Sequence, residues 1–327
     1  MNSVADVLII GGGPAGLAAA LGLGRVCRGA LVFDSQEYRN DGIFTMSNVL
    51  SHDGENPSIF RTRAMEEIMS KYPHIKFMDR KITNITTKTS PSGTTSFKIV
   101  DSKGNSWLGK KLLLATGSVD VLPSVPGYRE LWGHNIYHCL FCDGYERRGE
   151  PIGVLGAEKR DLDHLLMASS FTPKRLVIYT NGAVPDEEMR RELESARARG
   201  CGIDTRRIQR LAKAADGVSI QLHFDDKSSE IMGFLIHHPP TVNRAQDLFD
   251  QMGLEIAVGQ GGHVTSKPPF GETNVRGCFV AGDTSTQLKI VSVAAASGAL
   301  AAVGIATQLA RDEGTRGLAD VSDGLEN

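Results

Sequence analysis

Short apolar runs separated by glycine-rich turns open the chain, and they predict alternating strands and helices. The run Asp6–Ile10 predicts a buried strand, the segment Gly11–Gly16 a turn, and the alanine- and leucine-rich stretch that ends near Arg25 a helix. Ala30–Phe33 predicts a second strand, which Asp34 ends. A strand, a helix and a strand in this order form a βαβ unit, so we expect the two strands to pair in parallel.

The same order of elements returns near the middle of the chain. Ile152–Leu155 predicts a strand, residues 156–160 a turn, residues 161–170 a helix, and Arg175–Tyr179 the next strand. The chain therefore carries two βαβ units, which form a degenerate internal repeat.

The other apolar runs predict further strands. Runs at residues 77–85 and 96–101, separated by the polar residues 86–95, predict an antiparallel excursion, and Lys111–Gly117 predicts a buried strand that ends in a turn of small residues. All of these elements together indicate the α/β class. The remaining predicted elements are a helix over 185–199 and strands over 218–224 and 233–237.

Composition and charge restrict the domain count and the partners. The chain has 327 residues, and chains longer than roughly 250–300 residues usually divide, so we expect two domains. Lysine and arginine number 36 against 38 acidic residues, which leaves a net charge of −2. This balance lacks the positive charge of a nucleic-acid-binding protein, so we expect no nucleic acid as a partner.

Cysteine usage and the apolar segments indicate a cytoplasmic protein. Five cysteines in a chain of this length are too few, and an odd number, for a disulfide framework. Met1–Asp6 has no basic region, which predicts that no secretory signal is present. The uncharged segment Ile290–Ala310 is long enough to cross a bilayer, but it consists mainly of alanine with serine and glycine. We interpret it as a buried helix and expect no membrane association.

The first glycine-rich turn predicts a dinucleotide site. Gly11, Gly13 and Gly16 follow an apolar strand and open a helix, and Asp34 lies 18 residues after Gly16. Glycines at these positions allow backbone N–H groups to approach a pyrophosphate at the positive end of the helix, and the aspartate can accept hydrogen bonds from ribose hydroxyls.

One close pair of cysteines, Cys139 and Cys142, is a candidate redox centre. A zinc site would need further cysteine or histidine ligands at suitable spacing, and none follows, so we expect no metal. A Cys-x-x-Cys at the start of a helix instead favours a disulfide that opens and closes. A structural or metal-binding pair is the alternative that the residues leave open. Cys27, Cys201 and Cys278 stand alone and are interpreted as small packing residues.

The chain from about Val4 to Ala310 resembles the low-molecular-weight thioredoxin reductases. The resemblance rests on Cys139-Leu-Phe-Cys142-Asp143-Gly144, Gly13-Pro-Ala-Gly16, Ala115-Thr-Gly117 and Gly282-Asp283. It implies FAD as the cofactor and an α/β fold of two Rossmann-like, three-layer ββα domains, of which the FAD domain is discontinuous. By this resemblance Cys142 lies against the flavin, Cys139 meets the substrate, and Asp143 is the general acid and base.

The resemblance also implies domain boundaries and cofactor contacts. Residues 1–117 and 243–315 are expected to form the FAD-binding domain, residues 118–242 a degenerate NADPH-type domain that carries the cysteine pair, and residues 316–327 a tail. The implied cofactor-binding residues are Gly11, Gly13, Pro14, Ala15, Gly16, Asp34, Ser35, Gln36, Arg39, Asn40, Ile82, Ala115, Thr116, Gly117, Gly282, Asp283, Lys289, Ile290 and Val291.

The second glycine-rich turn departs from the reductase pattern. It reads Gly156-Ala-Glu158-Lys-Arg-Asp161, so carboxylates stand where the pyrophosphate would approach and where a small residue would pack. After the next strand, residues 179–182 contain no arginine that could hold a 2′-phosphate. We therefore do not expect NADPH as a cofactor, and we expect electrons to enter from a substrate dithiol.

Further similarity is to the gliotoxin-type dithiol oxidases, which close the transannular disulfide of epidithiodiketopiperazines. It lies in Phe33–Asn40, in Leu50–Gly54 with Pro57, and in Cys139–Glu146. It implies a homodimeric FAD-dependent oxidase that closes a disulfide in a small, epipolythiodioxopiperazine-like dithiol, with O₂ as acceptor and H₂O₂ as product. It also places the loop 50–54 beside the flavin. The alternatives are a disulfide reductase fed by a donor other than NADPH and a flavin-bound sensor without turnover.

A dithiol oxidase needs a base for the substrate thiols, whose ordinary pKa is ~8.5. Asp143 and His138 are the candidate bases, and histidine titrates in the useful range. The residues do not identify the dithiol or the producing organism. The candidate residues of the substrate pocket are Leu140, Phe141, His237 and His238.

Overall fold

The computed structural model describes residues 4–89, 95–258 and 262–325, with side chains as far as residue 315. Helices lie against mostly parallel sheets in two compact units, so the predicted α/β fold with a discontinuous first domain is confirmed. The first unit comprises Met1–Asp41, Pro57–Asp120 and Thr241–Asn327, and the second comprises Gly42–Asn56 and Val121–Pro240.

The strands and helices are numbered in chain order. The strands are β1 (Ala5–Ile10), β2 (Ala30–Asp34), β3 (Ile75–Asp79), β4 (Ile82–Thr89), β5 (Thr95–Asp101), β6 (Ser106–Leu114), β7 (Ser118–Asp120), β8 (Ile136–Tyr137), β9 (Ile152–Leu155), β10 (Leu176–Tyr179), β11 (Gly202–Asp204), β12 (Ile208–Lys213), β13 (Ile220–Phe224), β14 (Ser229–Met232), β15 (Phe234–His237), β16 (Thr241–Asn243) and β17 (Cys278–Val280). The helices are α1 (Pro14–Arg25), α2 (Pro57–Lys71), α3 (Tyr128–Leu131), α4 (Leu140–Asp143), α5 (Lys159–Ala168), α6 (Glu187–Ala198), α7 (Gln246–Met252) and α8 (Val291–Leu325).

The main sheet of the first unit has the order β3-β2-β1-β6-β5-β4, with β17 beside the later half of β6. Strands β3, β2, β1, β6 and β17 pair in parallel, so their carboxyl ends meet at one edge. Successive residues of β1 enter different cores: Val7 and Ile9 pack under α1 and α8, and Leu8 and Ile10 pack on the opposite face. Burial on both faces explains why β1 reads as a continuous apolar run.

The second unit is built on a parallel sheet of order β11-β10-β9-β15-β8. Strand β8 leads into the cysteine pair, and β9 leads into the second glycine-rich turn and α5. Because β8 and β9 both flank β15 in parallel, the segments that follow these three strands lie at the same edge of the sheet. This edge is where ligands bind in open α/β sheets.

Two strand and loop predictions need correction. The run 77–85 is not one strand but parts of β3 and β4, because the chain turns at Arg80, whose N–H donates to the carbonyl of Asp34. The segment 42–56 belongs to the second unit, where Ile43 packs over Gly133 and Phe44 lies against His134. The predicted excursion loop falls partly on residues 90–94, which lie outside the described residues.

Two helices also differ from expectation. Helix α2 was missed, since its apolar residues are few and only Pro57 and Ile68 in it are buried. Helix α8 continues to Leu325, past the start of the predicted tail. Lys111 Nζ lies 2.6 Å from Asp312 Oδ2 and Arg276 Nη2 lies 2.7 Å from Asp312 Oδ1, which ties this part of the helix to the sheet.

By length and composition alone, the segment Val291–Thr315 of α8 could cross a membrane. In its most apolar stretch, 39% is buried inside the protein. It packs along α1, and a Cβ added at Gly298 would lie 2.0 Å from the carbonyl oxygen of Ala15. Ala301, Ala302, Ile305 and Leu309 belong to the same core as β1. One face of the segment therefore packs in the core of the first unit.

Candidate functional site

Cys139 and Cys142 form a disulfide in the second unit, with their Cα atoms 5.3 Å apart. Cys139 follows β8 and stands at the N-cap of α4, where its carbonyl accepts hydrogen bonds from Cys142 N–H and Asp143 N–H. The helical turn thus brings the two sulfurs together. Burial raises the pKa of the Cys278 thiol to about 12 and raises that of Cys201, which leaves both thiols protonated at neutral pH.

Asp143 lies directly after this disulfide and is partly buried. Burial raises the pKa of its carboxyl group to about 7, and the charge of Glu146 adds to the effect. The group can therefore hold or release a proton near neutral pH, which is the property required of a general acid and base.

The two residues between the cysteines point into different environments. Phe141 has 70% of its surface exposed, as a pocket wall requires. Leu140 is 2% exposed and packs in the core with Ile152 and Leu162, so its assignment to the substrate pocket is wrong. The cause is the turn of α4, which points successive side chains about 100° apart.

Four histidines of the second unit gather near the carboxyl edge of its sheet. His138 follows β8, His237 ends β15, His238 follows it, and His164 lies on α5. Burial lowers the pKa of His237 to about 4 and that of His238 to about 3, so both are neutral at neutral pH. His138, His237 and His238 were predicted from the sequence. His164 was missed, because its position on a helix belongs to no motif.

The second glycine-rich turn is closed by its own carboxylates. The Asp161 carboxylate accepts a hydrogen bond from Glu158 N–H at 2.9 Å, and the Glu158 side chain accepts in return from Asp161 N–H. A Cβ added at Gly156 would lie 2.1 Å from Asp161 Oδ2. Two N–H groups at the start of α5, those of Glu158 and Asp161, are thus occupied by a capping box.

Arginines do lie near this edge of the sheet. This corrects the inference, drawn from residues 179–182, that no arginine is available here. Strand β11 runs beside β10 and brings Arg206 and Arg207 close, with the Arg207 side chain over Gly182. Arg206 is paired with Asp204 and lies 3.6 Å from Asp226 and from Glu230. The second unit thus combines a carboxylate-capped turn with arginines that are already paired or packed.

The first glycine-rich turn, in contrast, is open. Gly11 has φ +115° and its missing Cβ would lie 2.1 Å from Ala115 O, and a Cβ at Gly16 would lie 1.9 Å from Gly11 O, whereas one at Gly13 would meet no atom within 4 Å. Gly13 is the N-cap of α1 and offers no side-chain cap, and Pro14 and Ala15 begin the helix. This geometry fits a pyrophosphate on the N–H groups at the start of α1.

Asp34 ends β2 at the same edge. Its carboxylate accepts hydrogen bonds from Gln36 N–H at 2.9 Å and from the hydroxyl of Tyr38. Arg61 lies 3.6 Å above the Tyr38 ring and donates to Asn40 Oδ1 at 3.3 Å. The carboxylate retains capacity for a ribose hydroxyl, since its two oxygens can accept about four hydrogen bonds. Tyr38 and Arg61 were missed by sequence reasoning. Ser35, also predicted to bind the cofactor, is partly buried between Asp34 and Gln36.

The late Gly282-Asp283 segment reaches this edge from β17. Gly282 adopts φ +74° against Ala15, and Asp283 Oδ2 accepts from Ser118 Oγ at 3.0 Å. Lys289 Nζ donates to the carbonyl of Asp283 at 3.0 Å, and the partly buried Ile290 and Val291 lead into α8.

Arg39 and the turn after β6 complete the group. Arg39 Nη2 lies 2.8 Å from Asp120 Oδ1, and Arg39 Nη1 lies 3.6 Å from Asp283 Oδ2. Ala115 continues β6, Thr116 Oγ1 lies 3.4 Å from Thr284 Oγ1, and Gly117 N–H donates to Thr284 Oγ1 at 3.0 Å. Ile82 differs from the other predicted cofactor residues, because its side chain is 7% exposed and belongs to the core. Its contact with a cofactor stays a prediction.

Comparison with known proteins decides the family. Residues 5–298 match the model of the pyridine nucleotide-disulphide oxidoreductases. The chain belongs to this family. The protein is 40% identical over 319 residues to "Thioredoxin reductase aclD" of Aspergillus oryzae, covering 94% of this chain and 97% of the relative. It is 39% identical to "Thioredoxin reductase tcpT" of Claviceps purpurea, covering 95% and 96%.

Solved structures agree with this placement. The structure of HlmI aligns over 98% of both chains with a TM-score of 0.89 and 26% identity. An oxidoreductase from Agrobacterium tumefaciens aligns over 94% of this chain and 99% of its own with a TM-score of 0.84 and 30% identity. The resemblance to thioredoxin reductase-like flavoproteins of the gliotoxin-type group is confirmed. The protein is an oxidoreductase of this disulfide family, and membership implies FAD binding.

Proposed function

We propose that the protein is an FAD-dependent dithiol oxidase. It closes an intramolecular disulfide in a small, epipolythiodioxopiperazine-like dithiol and passes the electrons to O₂, with H₂O₂ as product. It works as a homodimer in the cytoplasm, and NADPH is not its donor. The chemistry needs no metal, nucleic acid or membrane.

The observation that carries the proposal is the closed turn in the second unit. Asp161 and Glu158 occupy each other's N–H groups at the start of α5, and Glu158 is paired with Arg160 at 3.2 Å. A pyrophosphate would have to displace a buried carboxylate and would meet a second negative charge. We infer that NADPH does not bind at this turn. Electrons would then reach the protein through the disulfide Cys139–Cys142.

The open turn of the first unit would hold FAD. The N–H groups after Gly13 would take its pyrophosphate, Asp34 a ribose hydroxyl, and Asp283 a hydroxyl of the ribityl chain. When bound, FAD supplies an acceptor of two electrons that O₂ can reoxidise.

The protein's own residues carry the thiol chemistry. A substrate thiolate attacks Cys139 Sγ, the Cys139–Cys142 bond breaks, and the electron pair of that bond leaves on Cys142 Sγ. The second substrate thiol loses its proton to Asp143 and attacks the substrate sulfur of the mixed disulfide. The substrate disulfide forms and Cys139 leaves as thiolate. The two cysteines then hold two electrons from the substrate, which bound FAD would accept as the Cys139–Cys142 disulfide forms again.

Anaerobic reduction of the bound flavin tests the proposal. The oxidised, yellow protein is mixed with NADPH, with NADH or with a small dithiol, and the flavin absorption is followed. We expect bleaching by the dithiol alone, followed on admission of air by return of the colour and one H₂O₂ for each dithiol consumed. Rapid bleaching by NADPH would overturn the proposal.

The same experiment separates the alternatives. A flavin that is bleached by a reduced ferredoxin or flavoprotein, and by neither nucleotide nor dithiol, would belong to a disulfide reductase with another donor. The names of the fungal relatives favour that second candidate. No response to any of these would indicate a flavin-bound sensor.

A further inference from the structure

The loop that follows β2, residues 35–40, folds back on the aspartate that ends this strand. We call this segment the β2 loop. Gln36 adopts φ +60°, in the left-handed region, and its N–H donates to Asp34 Oδ1 at 2.9 Å. The chain then returns, so that the Tyr38 hydroxyl donates to Asp34 Oδ2. Both oxygens of the Asp34 carboxylate thus accept a hydrogen bond from the β2 loop.

The same carboxylate also lies against the first glycine-rich turn. Gly12 stands at a position where the Gly-x-Gly-x-x-Gly pattern allows any residue. A Cβ added at Gly12 would lie 2.3 Å from Asp34 Oδ2. The carboxylate therefore lies between the backbone of the turn and the Tyr38 hydroxyl, and contacts on both sides fix its orientation.

A guanidinium from a different element covers the Tyr38 ring. Arg61 lies on α2, and its Cζ atom is 3.6 Å from the centroid of the Tyr38 ring. Arg61 Nη1 also donates to Asn40 Oδ1 at 3.3 Å. A planar guanidinium can stack on an aromatic face and donate hydrogen bonds in its own plane. Arg61 therefore holds the later half of the β2 loop against α2.

The outer side of the β2 loop has weaker contacts. Lys81 Nζ lies 2.8 Å from Glu37 Oε1, and Arg244 Nη1 lies 3.6 Å from Glu37 Oε2. The side chains of Lys81 and Glu37 are exposed, and exposed ion pairs contribute little to stability. The contacts that reach the Asp34 carboxylate are thus those of Tyr38 and, through it, of Arg61.

The Tyr38 hydroxyl acts as a donor at neutral pH. Burial raises its pKa, the hydrogen bond to Asp34 adds to this rise, and the charge of Arg61 opposes it. The hydroxyl therefore keeps its proton and gives it to the hydrogen bond with Asp34. A carboxylate can accept about four hydrogen bonds, so two acceptor sites remain on Asp34, and their directions are fixed with the carboxylate.

We propose that Tyr38 and Arg61 are positioning residues for the adenosine half of FAD. The Tyr38 hydroxyl fixes the Asp34 carboxylate that would accept from a ribose hydroxyl, and Arg61 fixes the Tyr38 ring. The proposal rests on the part of the proposed function that assigns FAD to the first glycine-rich turn, and it is independent of the substrate and of the electron acceptor. It makes Tyr38 and Arg61 determinants of selectivity for FAD over flavin mononucleotide (FMN).

The chemical difference between the two flavins isolates this role. FMN has the same ring system, ribityl chain and first phosphate as FAD, but it has no adenosine. An interaction at Asp34 therefore contributes to the affinity for FAD alone, and selectivity is the difference between the two affinities. Damage to the fold or to the glycine-rich turn would instead weaken the binding of both flavins.

Equilibrium competition between the flavins measures the selectivity. The holoprotein is dialysed against buffer with FAD and a large excess of FMN, and the bound flavins are extracted and separated. We expect Tyr38→Phe, which removes only the hydroxyl, to lower the bound ratio of FAD to FMN about tenfold. Arg61→Met removes the guanidinium and should lower the ratio several-fold. Arg61→Lys keeps a cation over the Tyr38 ring and should recover most of that loss.

A double-mutant cycle with Asp34→Ala tests whether Tyr38 acts through the carboxylate. The release of FAD when the holoprotein is diluted, followed by flavin fluorescence, gives the dissociation constant of FAD in each variant. If Tyr38 acts by fixing Asp34, Tyr38→Phe should change this constant less than about twofold in a protein that already carries Asp34→Ala. Equal effects of Tyr38→Phe in the two backgrounds would overturn the proposal.

Matched controls use the same residue types in the same unit. Tyr72→Phe changes a tyrosine whose ring lies over Gly24, and Arg63→Met changes an exposed arginine on α2. Lys81→Met removes the outer ion pair of the β2 loop. None of these changes should alter the flavin ratio by more than about twofold. A Tyr38→Phe protein with the same ratio as Tyr72→Phe would refute the positioning role.

These measurements use neither a dithiol nor O₂, so they separate this proposal from the proposed function. A wild-type flavin that no dithiol reduces would contradict the oxidase, and the flavin ratio would still decide the role of Tyr38 and Arg61. Equal losses of FAD and FMN in Tyr38→Phe would show that the residue only supports the fold, and they would also overturn the proposal.

Discussion

Asp143 shows how burial changes what one carboxyl group can do. In the sequence, Asp143 is distinguished only by its place after a Cys-x-x-Cys. In the structure, removal from water raises the pKa of its carboxyl group to about 7. The family resemblance assigned an acid and base role to this residue. The structure supplies the physical reason why the role can be performed at neutral pH.

The pH dependence of turnover tests Asp143. As a base it must be ionised, so the rate of dithiol oxidation should rise as the pH passes through about 7. Asp143→Asn should lower the rate by about 10²-fold and remove this rise. Rates measured across the neutral range by O₂ consumption check both effects. A variant that keeps the rise would place the titrating group elsewhere.

The same raised pKa predicts a stability effect of opposite sense. Between the ordinary carboxyl pKa of 3.8 and about 7, the folded protein binds more protons at Asp143 than the unfolded chain does. This contribution to stability is therefore lost as the pH rises through that window. Asp143→Asn should be more stable than wild type above about pH 7, by on the order of 1 kcal/mol, and the gain should vanish near pH 4. Urea unfolding at the two pH values measures it.

Leu140 and Phe141 are neighbours with opposite expected effects. Leu140→Ala removes a buried side chain and should lower the free energy of unfolding by about 2–4 kcal/mol. Phe141→Ala changes an exposed ring, so stability should stay within about 0.5 kcal/mol of wild type, while KM for an apolar dithiol rises and that for dithiothreitol does not. Unfolding curves and steady-state kinetics of the pair check this. Unaltered kinetics in Phe141→Ala would remove the residue from the pocket.

At the scale of elements, the two glycine-rich turns show what similar sequences can become. Both follow a buried parallel strand and open a helix. In the first, Gly16 lets α1 pack directly on Gly11, and the start of α1 stays open. In the second, Asp161 occupies the corresponding space and caps α5. One acidic side chain at this position thus replaces a phosphate-binding turn with a helix cap whose N–H group is already hydrogen-bonded.

Two glycines of the first turn should respond differently to an added methyl group. A Cβ at Gly16 would lie 1.9 Å from a backbone oxygen, so Gly16→Ala should lower both the stability of the protein and its flavin content. A Cβ at Gly13 meets open space, so Gly13→Ala should fold normally and lose only affinity for FAD, because it obstructs the approach of the pyrophosphate. Flavin absorbance per chain and thermal unfolding distinguish the two. Equal effects in both assays would contradict the assignment.

The cap of α5 can be tested in the same way. Asp161→Ala removes the acceptor for Glu158 N–H and should cost about 1–2 kcal/mol of stability, whereas Asp163→Ala, at an exposed position on the same helix, should cost little. Urea unfolding compares them. Neither change should make NADPH bleach the flavin, because Glu158 keeps its negative charge at the turn. Bleaching of Asp161→Ala by NADPH would show that the cap alone blocked the site.

At the scale of the whole molecule, one chain repeats a dinucleotide-binding unit and retains the site in one copy. The first unit keeps the open turn, Asp34 and the late Asp283 on one sheet edge. The second unit has the disulfide, Asp143 and the histidines His138, His237 and His238 at the same edge of its own sheet. The repeated architecture is thus used once for a cofactor and once, by our proposal, for thiol chemistry.

Much of this arrangement was predictable from the sequence alone, because it depends on patterns within short segments of the chain. The strands β1, β2, β9 and β10 are apolar runs bounded by turns, and the glycines, Asp34 and the cysteine pair stand at fixed spacing from them. Backbone conformation and sequence-local hydrogen bonds decide such features, so they appear in the sequence. The sequence predicted a buried helix at the α8 segment, and the structure buries one face of it, where small residues allow close packing on α1.

Only the tertiary structure decided the features that depend on side chains from distant segments. These features lie where strands that are far apart in sequence end at one sheet edge. They are the pKa of Asp143, the burial of Leu140 beside the exposed Phe141, the arginines that β11 brings beside β10, and the contact between His138 and His238. Desolvation and contacts between rings depend on residues that are distant in sequence, so no motif of fixed spacing reveals them. The sequence by itself determined which residues could do the chemistry, and the fold decided their neighbours, their burial and their charge.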